Sequence, residues 1–231
     1  MKKNSTILIV FLLGAAILLY PHVAQFINSQ KQKKQVETFL GDFRHLEVSN
    51  EKVKVDGIIE EANRCNEELY DASSEFYDPF LDDEGKLKHL QQCLELPEGD
   101  MFAAIEIPKL KLVIPLYLGA TQEILNKGVG QVEGSSIPVG GQNTHTVLAG
   151  HRGMGTKAMF RDIDQLFSGD VFYVHTMKET LTYKVYKQKV IYPYETDSLE
   201  IEQGKDLATL LTCHPYRHNY QRLLIQGERI E

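Results

Sequence analysis

The chain has no tryptophan, few cysteines and no basic stripe, and each shortage removes a class of protein. Without Trp, aromatic contacts fall to 11 tyrosines and 10 phenylalanines. Three cysteines, Cys65, Cys93 and Cys213, are too few for a dense disulfide scaffold, and none sit at CxxC metal spacing. An odd count leaves at least one thiol free if the other two pair. A formal charge of −7 without a clustered Lys/Arg face argues against nucleic acid as a partner. No serine occupies an elbow motif, and no His/Cys/Asp cluster fits zinc. What remains is 231 residues with 42% hydrophobic content, enough for one buried domain of about 150–200 residues plus appendages.

Charge is also missing locally, from Ile7 to Tyr20, with Lys2 and Lys3 before it and a weaker apolar tendency on to Ile27. Lysines before such a stretch favour a cytoplasmic N-terminus and an exported remainder. A spanning helix needs about 17–25 residues, so Pro21, His22 and Gln25 must sit in the headgroup region. A cleaved signal peptide is the alternative, but His22-Val23-Ala24 is a poor small-x-small site. The expectation is a retained anchor over residues 1–27.

Val36, Phe39, Leu40, Phe43 and Leu46 place one apolar face on a helix within Ser29 to Leu46. Ile58, Ile59, Ala62 and Leu69 suggest a second helix, with a break before Gly57. Both faces read as ordinary packing surfaces. From Asp71 to Asp100 the pattern dissolves into acidic and small residues around an apolar knot, Tyr77-Asp78-Pro79-Phe80-Leu81. A loop of this length without structure of its own is usually functional or disordered. Burying Phe80 at its tip requires a surface to bury it against.

From Phe102 the chain changes to short strands between turns. Ile105 and Ile107 alternate, Pro108 breaks, and Leu112 to Leu118 follow with Pro115 marking an edge or bulge. Thr121 to Lys127 reads as a short helix with a Thr N-cap and Gly128 after it. Five glycines and one proline between Gly128 and Gly141 imply tight turns. Thr146 to His151 is a strand ending in histidine. Asp170 to His175 and Thr180 to Tyr192 add strands, the latter with Leu181, Tyr183 and Val185 on one face. Such spacing indicates an all-β sandwich or barrel.

The chemistry concentrates in Leu207 to Ile225. An apolar strand ends at Cys213, a polar loop follows, and Arg222 opens a returning strand, Leu223-Leu224-Ile225. Alternation is weak, so both strands are expected to be buried on two sides. A guanidinium near a sulfur favours the thiolate, the nucleophilic form. The alternative is a small core cysteine. His151, followed by Gly153 and Gly155, is a partner candidate. His145, His175, His214 and His218 compete with it, and spacing does not choose, because a Cys–His pair meets in space.

Thr209-Leu210-Leu211-Thr212-Cys213, with Arg222 nine residues on, resembles the TLxTC…R signature of the sortase transpeptidases. Leu148-Ala149-Gly150-His151-Arg152-Gly153 resembles their histidine segment. The similarity runs from about Phe102 to Ile230, through Ile107-Pro108, Gly128-Val129-Gly130 and Pro215-Tyr216. Asp78-Pro79-Phe80 is similar to the lid of class C sortases, the pilin polymerases, as are Tyr20-Pro21 and Ala62, Asn66 and Leu69. Many class C members carry a second, C-terminal membrane span, whereas this sequence ends at Glu231. Cys65 and Cys93 do not belong to the family pattern.

The resemblance implies a mainly β fold: a closed barrel of about eight strands with short helices, preceded by N-terminal helices and a lid loop. Residues 28–70 would be the helical segment, 71–100 the lid region and 101–231 the catalytic barrel. It further implies a membrane-held enzyme on the extracellular side of a Gram-positive bacterium. The enzyme would cut an LPxTG-like sorting signal between Thr and Gly and join the acyl group to a pilin lysine. Cys213 would be the nucleophile, His151 the acid and base, and Arg222 the donor to the oxyanion or to a substrate carbonyl. In that family the lid aspartate, here Asp78, pairs with the arginine, and the aromatic ring, here Phe80, covers the cysteine. The chemistry requires no cofactor and no metal. A housekeeping sortase acting on a cell-wall precursor and a non-enzymatic tethered binding domain are the competing readings.

Cys65 falls in the helix before the lid and Cys93 in the segment returning to the barrel. Asp78 lies 13 residues after the first, and Phe80 lies 13 before the second. A disulfide between them is the expectation in an oxidising compartment, with two free thiols as the alternative.

Overall fold

The computed structural model describes residues 2–44, 50–72, 76, 78–81, 93–94 and 99–230. Leu46, Tyr77 and most of the 71–100 stretch lie outside the described residues. Helix α1 spans Lys2–Arg44 and helix α2 spans Asn50–Ala72.

Two helix readings change. Helix α1 is one element from the anchor stretch onward, running through Pro21 without a break. Gly57 lies inside α2 rather than at its start. A glycine in a helix costs only about 1 kcal/mol relative to alanine. Val55, Ile59, Ala62, Cys65 and Leu69 are buried along one face of α2, on both sides of Gly57. That packing outweighs the local preference.

The strands are β1 (Met101–Ile107), β2 (Leu112–Leu118), β3 (Val129–Gln131), β4 (Thr144–Ala149), β5 (Val171–His175), β6 (Thr180–Ile191), β7 (Asp206–His214) and β8 (Gln221–Arg229). They close into a barrel in the order β1-β2-β3-β4-β7-β8-β6-β5. Two neighbouring pairs, β2 with β3 and β4 with β7, are parallel; the rest are antiparallel. Pro115 occupies a local edge of β2, paired on one side only. It faces Ala104 across the β1–β2 ladder, and pairing with β3 begins only at Leu116. Its missing N–H therefore lies just beyond the second ladder.

Helix α3 (Gln122–Lys127) has Thr121 as its N-cap, whose Oγ1 accepts from the Ile124 N–H at 3.3 Å. Gly128 follows because a Cβ there would lie 2.3 Å from the Pro115 carbonyl oxygen.

Weak alternation in β4, β7 and β8 has a direct cause. Leu148, Leu210 and Ile225 belong to the barrel interior. Val147, Ala149, Leu211 and Leu224 belong to a second cluster, with Leu125 of α3, Ile191 and Leu199. Because side chains alternate across a strand, the two clusters occupy the two faces of the same sheet. Cys213 stands two residues after Leu211, and Arg222 two before Leu224. Both therefore project on the face of the second cluster, outside the barrel core.

Candidate active site

Register brings the central pair together: Cys213 is the partner of Arg222 in the antiparallel β7–β8 ladder. Strand β4 lies on the other side of β7, parallel to it, with Ala149 opposite Leu211. Two residues beyond Ala149, His151 opens the loop at the same end of the sheet. Gly150 N–H donates to Leu211 O at 3.1 Å, and the Thr212 hydroxyl donates to Gly150 O at 2.7 Å. These two bonds fix the start of the histidine loop against the end of β7. Gly150 also has to be glycine: a Cβ there would sit 2.8 Å from the Phe160 ring.

The competing histidines are engaged elsewhere. His145 is buried, with Nδ1 2.8 Å from Glu200 O and Nε2 2.7 Å from Thr209 Oγ1. His175 bonds Thr180 and Glu106. Nδ1 of His214 lies 2.7 Å from an Arg152 nitrogen. His218 is exposed beside Tyr220. Among the described histidines only the His151 ring lies against the lid aromatic, its centroid 6.3 Å from that of Phe80.

Arg222 is 1% exposed, an extreme position for a charge. Its Nε donates to Asp78 Oδ2 at 2.7 Å and its Nη2 to Asp78 Oδ1 at 3.1 Å. The remaining nitrogen donates to the carbonyls of Asn219 and Gln221 at 2.6 and 2.9 Å. Asp78 Oδ1 also accepts the Phe80 N–H at 2.8 Å, which folds the triplet into a tight turn. This turn places the Phe80 ring 5.1 Å from the guanidinium carbon. Phe76 and Phe80 pack on the second cluster, which is the surface the sequence required for burying Phe80. Pro79 is buried, its carbonyl accepting from the Gln122 amide at 3.5 Å.

The electrostatics differ from the simple expectation of a thiolate. Burial pushes the Cys213 thiol above its usual range; Arg222 acts in the opposite direction, and Asp78 adds to the rise. Burial alone pulls the His151 imidazole down. At neutral pH the closed site therefore holds a neutral thiol and a neutral imidazole. The cation that would favour a thiolate is neutralised by the lid carboxylate.

In the sequence Arg152 stands out only as the neighbour of His151, and its role emerges from the geometry. It is buried, donates to Asp164 Oδ2 at 2.8 Å and to Cys213 O at 3.4 Å, and contacts His214. It braces the β7 terminus against the loop after His151. The adjacent Arg in a His-Arg pair was the only available signal.

Cys65 and Cys93 are bonded to each other, their Cα atoms 6.0 Å apart, leaving Cys213 as the free cysteine. The bond joins α2 to the segment that re-enters the barrel and closes a loop with Asp78-Pro79-Phe80 near its centre. Among the described residues no group of three or more His, Cys, Asp or Glu side chains is placed to hold a metal ion.

A barrel with a cysteine and an arginine paired across adjacent strand ends, and a histidine on the next strand's loop, matches the arrangement expected of a cysteine transpeptidase. The sortase domain model matches residues 105–230, and the chain belongs to the sortase family. It is 29% identical over 135 residues to Sortase D of Bacillus subtilis, covering 57% of this chain and 65% of that protein. Sortase C of Clostridium perfringens, solved with the C-terminal cell wall sorting motif, is 41% identical, with a TM-score of 0.71 over 86% of this chain and 98% of that one. Streptococcus pneumoniae Sortase C is 34% identical, with a TM-score of 0.71 over 86% and 97%. Sortase C1 of the group B Streptococcus pilus island 1 is 33% identical, with a TM-score of 0.71 over 90% and 92%. These structural relatives are class C, the pilin sortases.

Proposed function

We propose that the protein is a lid-gated, pilin-polymerising transpeptidase. Its substrate is an LPxTG-like sorting signal, which it cleaves between Thr and Gly, and its acceptor is a pilin lysine amine. The observation that carries this reading is the occupancy of Arg222. The donors it would offer to an oxyanion are held by Asp78, on the loop whose Phe80 lies over the site. A housekeeping sortase and a non-enzymatic tethered domain leave that clamp without a use.

The sequence of events follows from the groups present. The lid swings out, Asp78 releases Arg222, and the carboxylate that raises the thiol's pKa departs with it. Cys213 then passes its proton to His151 and attacks the threonine carbonyl. Arg222 offers Nε–H and Nη2–H to the developing oxyanion or to a neighbouring substrate carbonyl. His151, now an imidazolium, protonates the departing glycine amine as the thioacyl-enzyme forms. As a neutral imidazole it then takes the proton of the incoming lysine amine, which expels the thiolate and leaves an isopeptide bond. The imidazolium then returns that proton to the thiolate, and Cys213 and His151 end as they began. No cofactor enters this scheme.

Among the described residues one helix, α1, is long and apolar enough to cross a membrane from Ile7 onward. We place the barrel on its extracellular side, as the Lys2-Lys3 pair suggests. Incubating the protein with a sorting-signal peptide and measuring intact mass tests the reaction. A thioacyl adduct on Cys213 that an added amine discharges is the expected result. Unmodified protein with the lid disabled would leave only a binding function.

A further inference from the structure

The loop that follows His151 rests on α1 where that helix leaves its apolar stretch. Gln25 Nε2 donates to Gly155 O at 3.4 Å, Asn28 Nδ2 to Thr156 O at 2.9 Å, and Arg161 Nη1 to Gln25 Oε1 at 3.1 Å. The unbroken apolar run ends at Tyr20, no Asp, Glu, Lys or Arg follows until Lys31, and α1 continues through Pro21 as one helix. The five residues from Tyr20 to Gln25 rise about 7–8 Å. The headgroup layer on one side of a bilayer is roughly 5–8 Å thick. The run from Ile7 to Tyr20 rises only about 21 Å, so a core of about 30 Å reaches past Pro21. With α1 across the membrane, Gly155 and Thr156, bonded to Gln25 and Asn28, stand within that layer.

The chemistry of this end of the molecule suits such a neighbour. Gly155 is exposed, with nothing within 4 Å of where a Cβ would be. At the tip of the β7–β8 loop Tyr216 is 45% exposed, with the Arg217 guanidinium carbon 5.5 Å from its ring centroid. The loops after β4 and β7 leave adjacent parallel strands at the same end, and Arg152 donates to Cys213 O at 3.4 Å between them. The two loops therefore lie side by side. Between α1 and the barrel a cleft of about 500 Å³ is lined by Lys31, Lys127 and Lys157, with Asp100 as its carboxylate. Amphipathic aromatic and basic groups are the residues that settle at anionic headgroups.

We infer that residues 153–157, together with Tyr216 and Arg217, dock on the anionic headgroup layer of the bilayer that α1 crosses. Docking holds the Cys213–His151 end of the barrel down over the membrane surface. The occupant of this face is lipid because the helix that delivers the bilayer is the one the loop grips. The site then serves peptides that lie along the headgroup layer or emerge from it. This inference depends on α1 spanning a bilayer and not on the reaction proposed above.

The test uses the full chain carrying Cys213→Ala, with a fluorophore on Gly155→Cys or, as a control, on Gln203→Cys. Gln203 lies just before β7, at the opposite end of that strand from Cys213. Protein is reconstituted into vesicles of equal parts phosphatidylcholine and phosphatidylglycerol bearing headgroup nitroxides, and only material that floats with the vesicles is read. Quenching several-fold stronger at 155 than at 203 is the expected result. Equal quenching, stronger quenching at 203, or protein that does not float overturns the docking. Weaker quenching at 155 in pure phosphatidylcholine supports the lysine cleft as the reader of anionic lipid; no difference removes that part.

Discussion

The β7–β8 strand pair and the lid segment carry the same site by opposite means. From Leu207 opposite Glu228 to His214 opposite Gln221, the strands form an unbroken antiparallel register, with residues 207–212 and 222–227 buried. Cys213 and Arg222 cannot separate without breaking that ladder. Residues 78–81 are held by the Asp78–Arg222 pair, the Gln122–Pro79 bond, a long Leu81 N–H to Asp78 O bond of 3.4 Å and the packing of Phe80. The candidate reactive geometry is thus built into the sheet, whereas among the described residues the proposed lid is held by these local contacts. Local openings occur where such contacts are few, at free energies below that of global unfolding.

The comparison breaks first at the sulfur. Cys213→Ala is expected to abolish acyl-enzyme formation and leave the barrel intact, read by mass spectrometry and circular dichroism. His151→Ala comes close behind. Full peptide acylation of the Cys213→Ala protein would show that the nucleophile lies elsewhere.

Arg222→Ala is expected to lower the acylation rate by about 10²–10³, the loss typical of one oxyanion donor. Arg222→Lys is expected to be poor too, because an ammonium lacks the planar fork. The same substitutions release the lid, so thiol alkylation and peptide acylation should move in opposite directions. A parallel fall in both would mean that Arg222 serves only to hold the strands.

Smaller effects separate the tether from the lid it carries. The Cys65–Cys93 bond is worth roughly 3–4 kcal/mol in the chain-entropy model. Cys65→Ser is expected to lower the midpoint of thermal unfolding while leaving the sheet register, and hence the rate of a lid-disabled enzyme, nearly unchanged. Alkylation under denaturing, non-reducing conditions should label one thiol in the parent protein; three labelled thiols would contradict the bond.

The smallest expected effect is acid destabilisation through His145. Burial depresses the pKa of its imidazole in the folded state below the ordinary 6.5. The unfolded chain therefore takes up the proton first. This contribution to stability is present above about pH 6.5 and is lost as the pH falls toward the folded value. His145→Gln should flatten the urea-midpoint profile below that pH, and an unchanged slope would assign it to other groups.

Much of the barrel was legible because the residues announcing it act locally. Thr121 and Gly128 bracket α3, and Leu181, Tyr183 and Val185 alternate as a half-buried strand must. The weak alternation around Cys213 was informative as well, because a strand covered on both faces has no polar side. The N-terminal helices were harder to read. Pro21 and Gly57 are breakers by local preference, and what overrides the glycine is a face packed on a barrel that begins at Met101. The motifs pointed to the Cys213, His151 and Arg222 trio, but the Arg152 brace was not legible. It joins Asp164, Cys213 and His214 across three separate segments, and no spacing in a single chain encodes that meeting.

The central claim is that Asp78 keeps the site closed and adds to the burial that holds its thiol neutral. The most direct measurement is the pH dependence of Cys213 alkylation in the parent protein, Asp78→Ala and Phe80→Ala. A hydrogen bond to a charged group contributes about 1.5–3 kcal/mol, which corresponds to roughly 10- to 150-fold in rate if lid opening limits access. Both variants are therefore expected to react faster. In Asp78→Ala the profile should also move to lower pH, because the carboxylate that raises the thiol is gone while Arg222 remains. Superimposable profiles in all three proteins would contradict the account and make the lid a loop that merely packs on the barrel's flank.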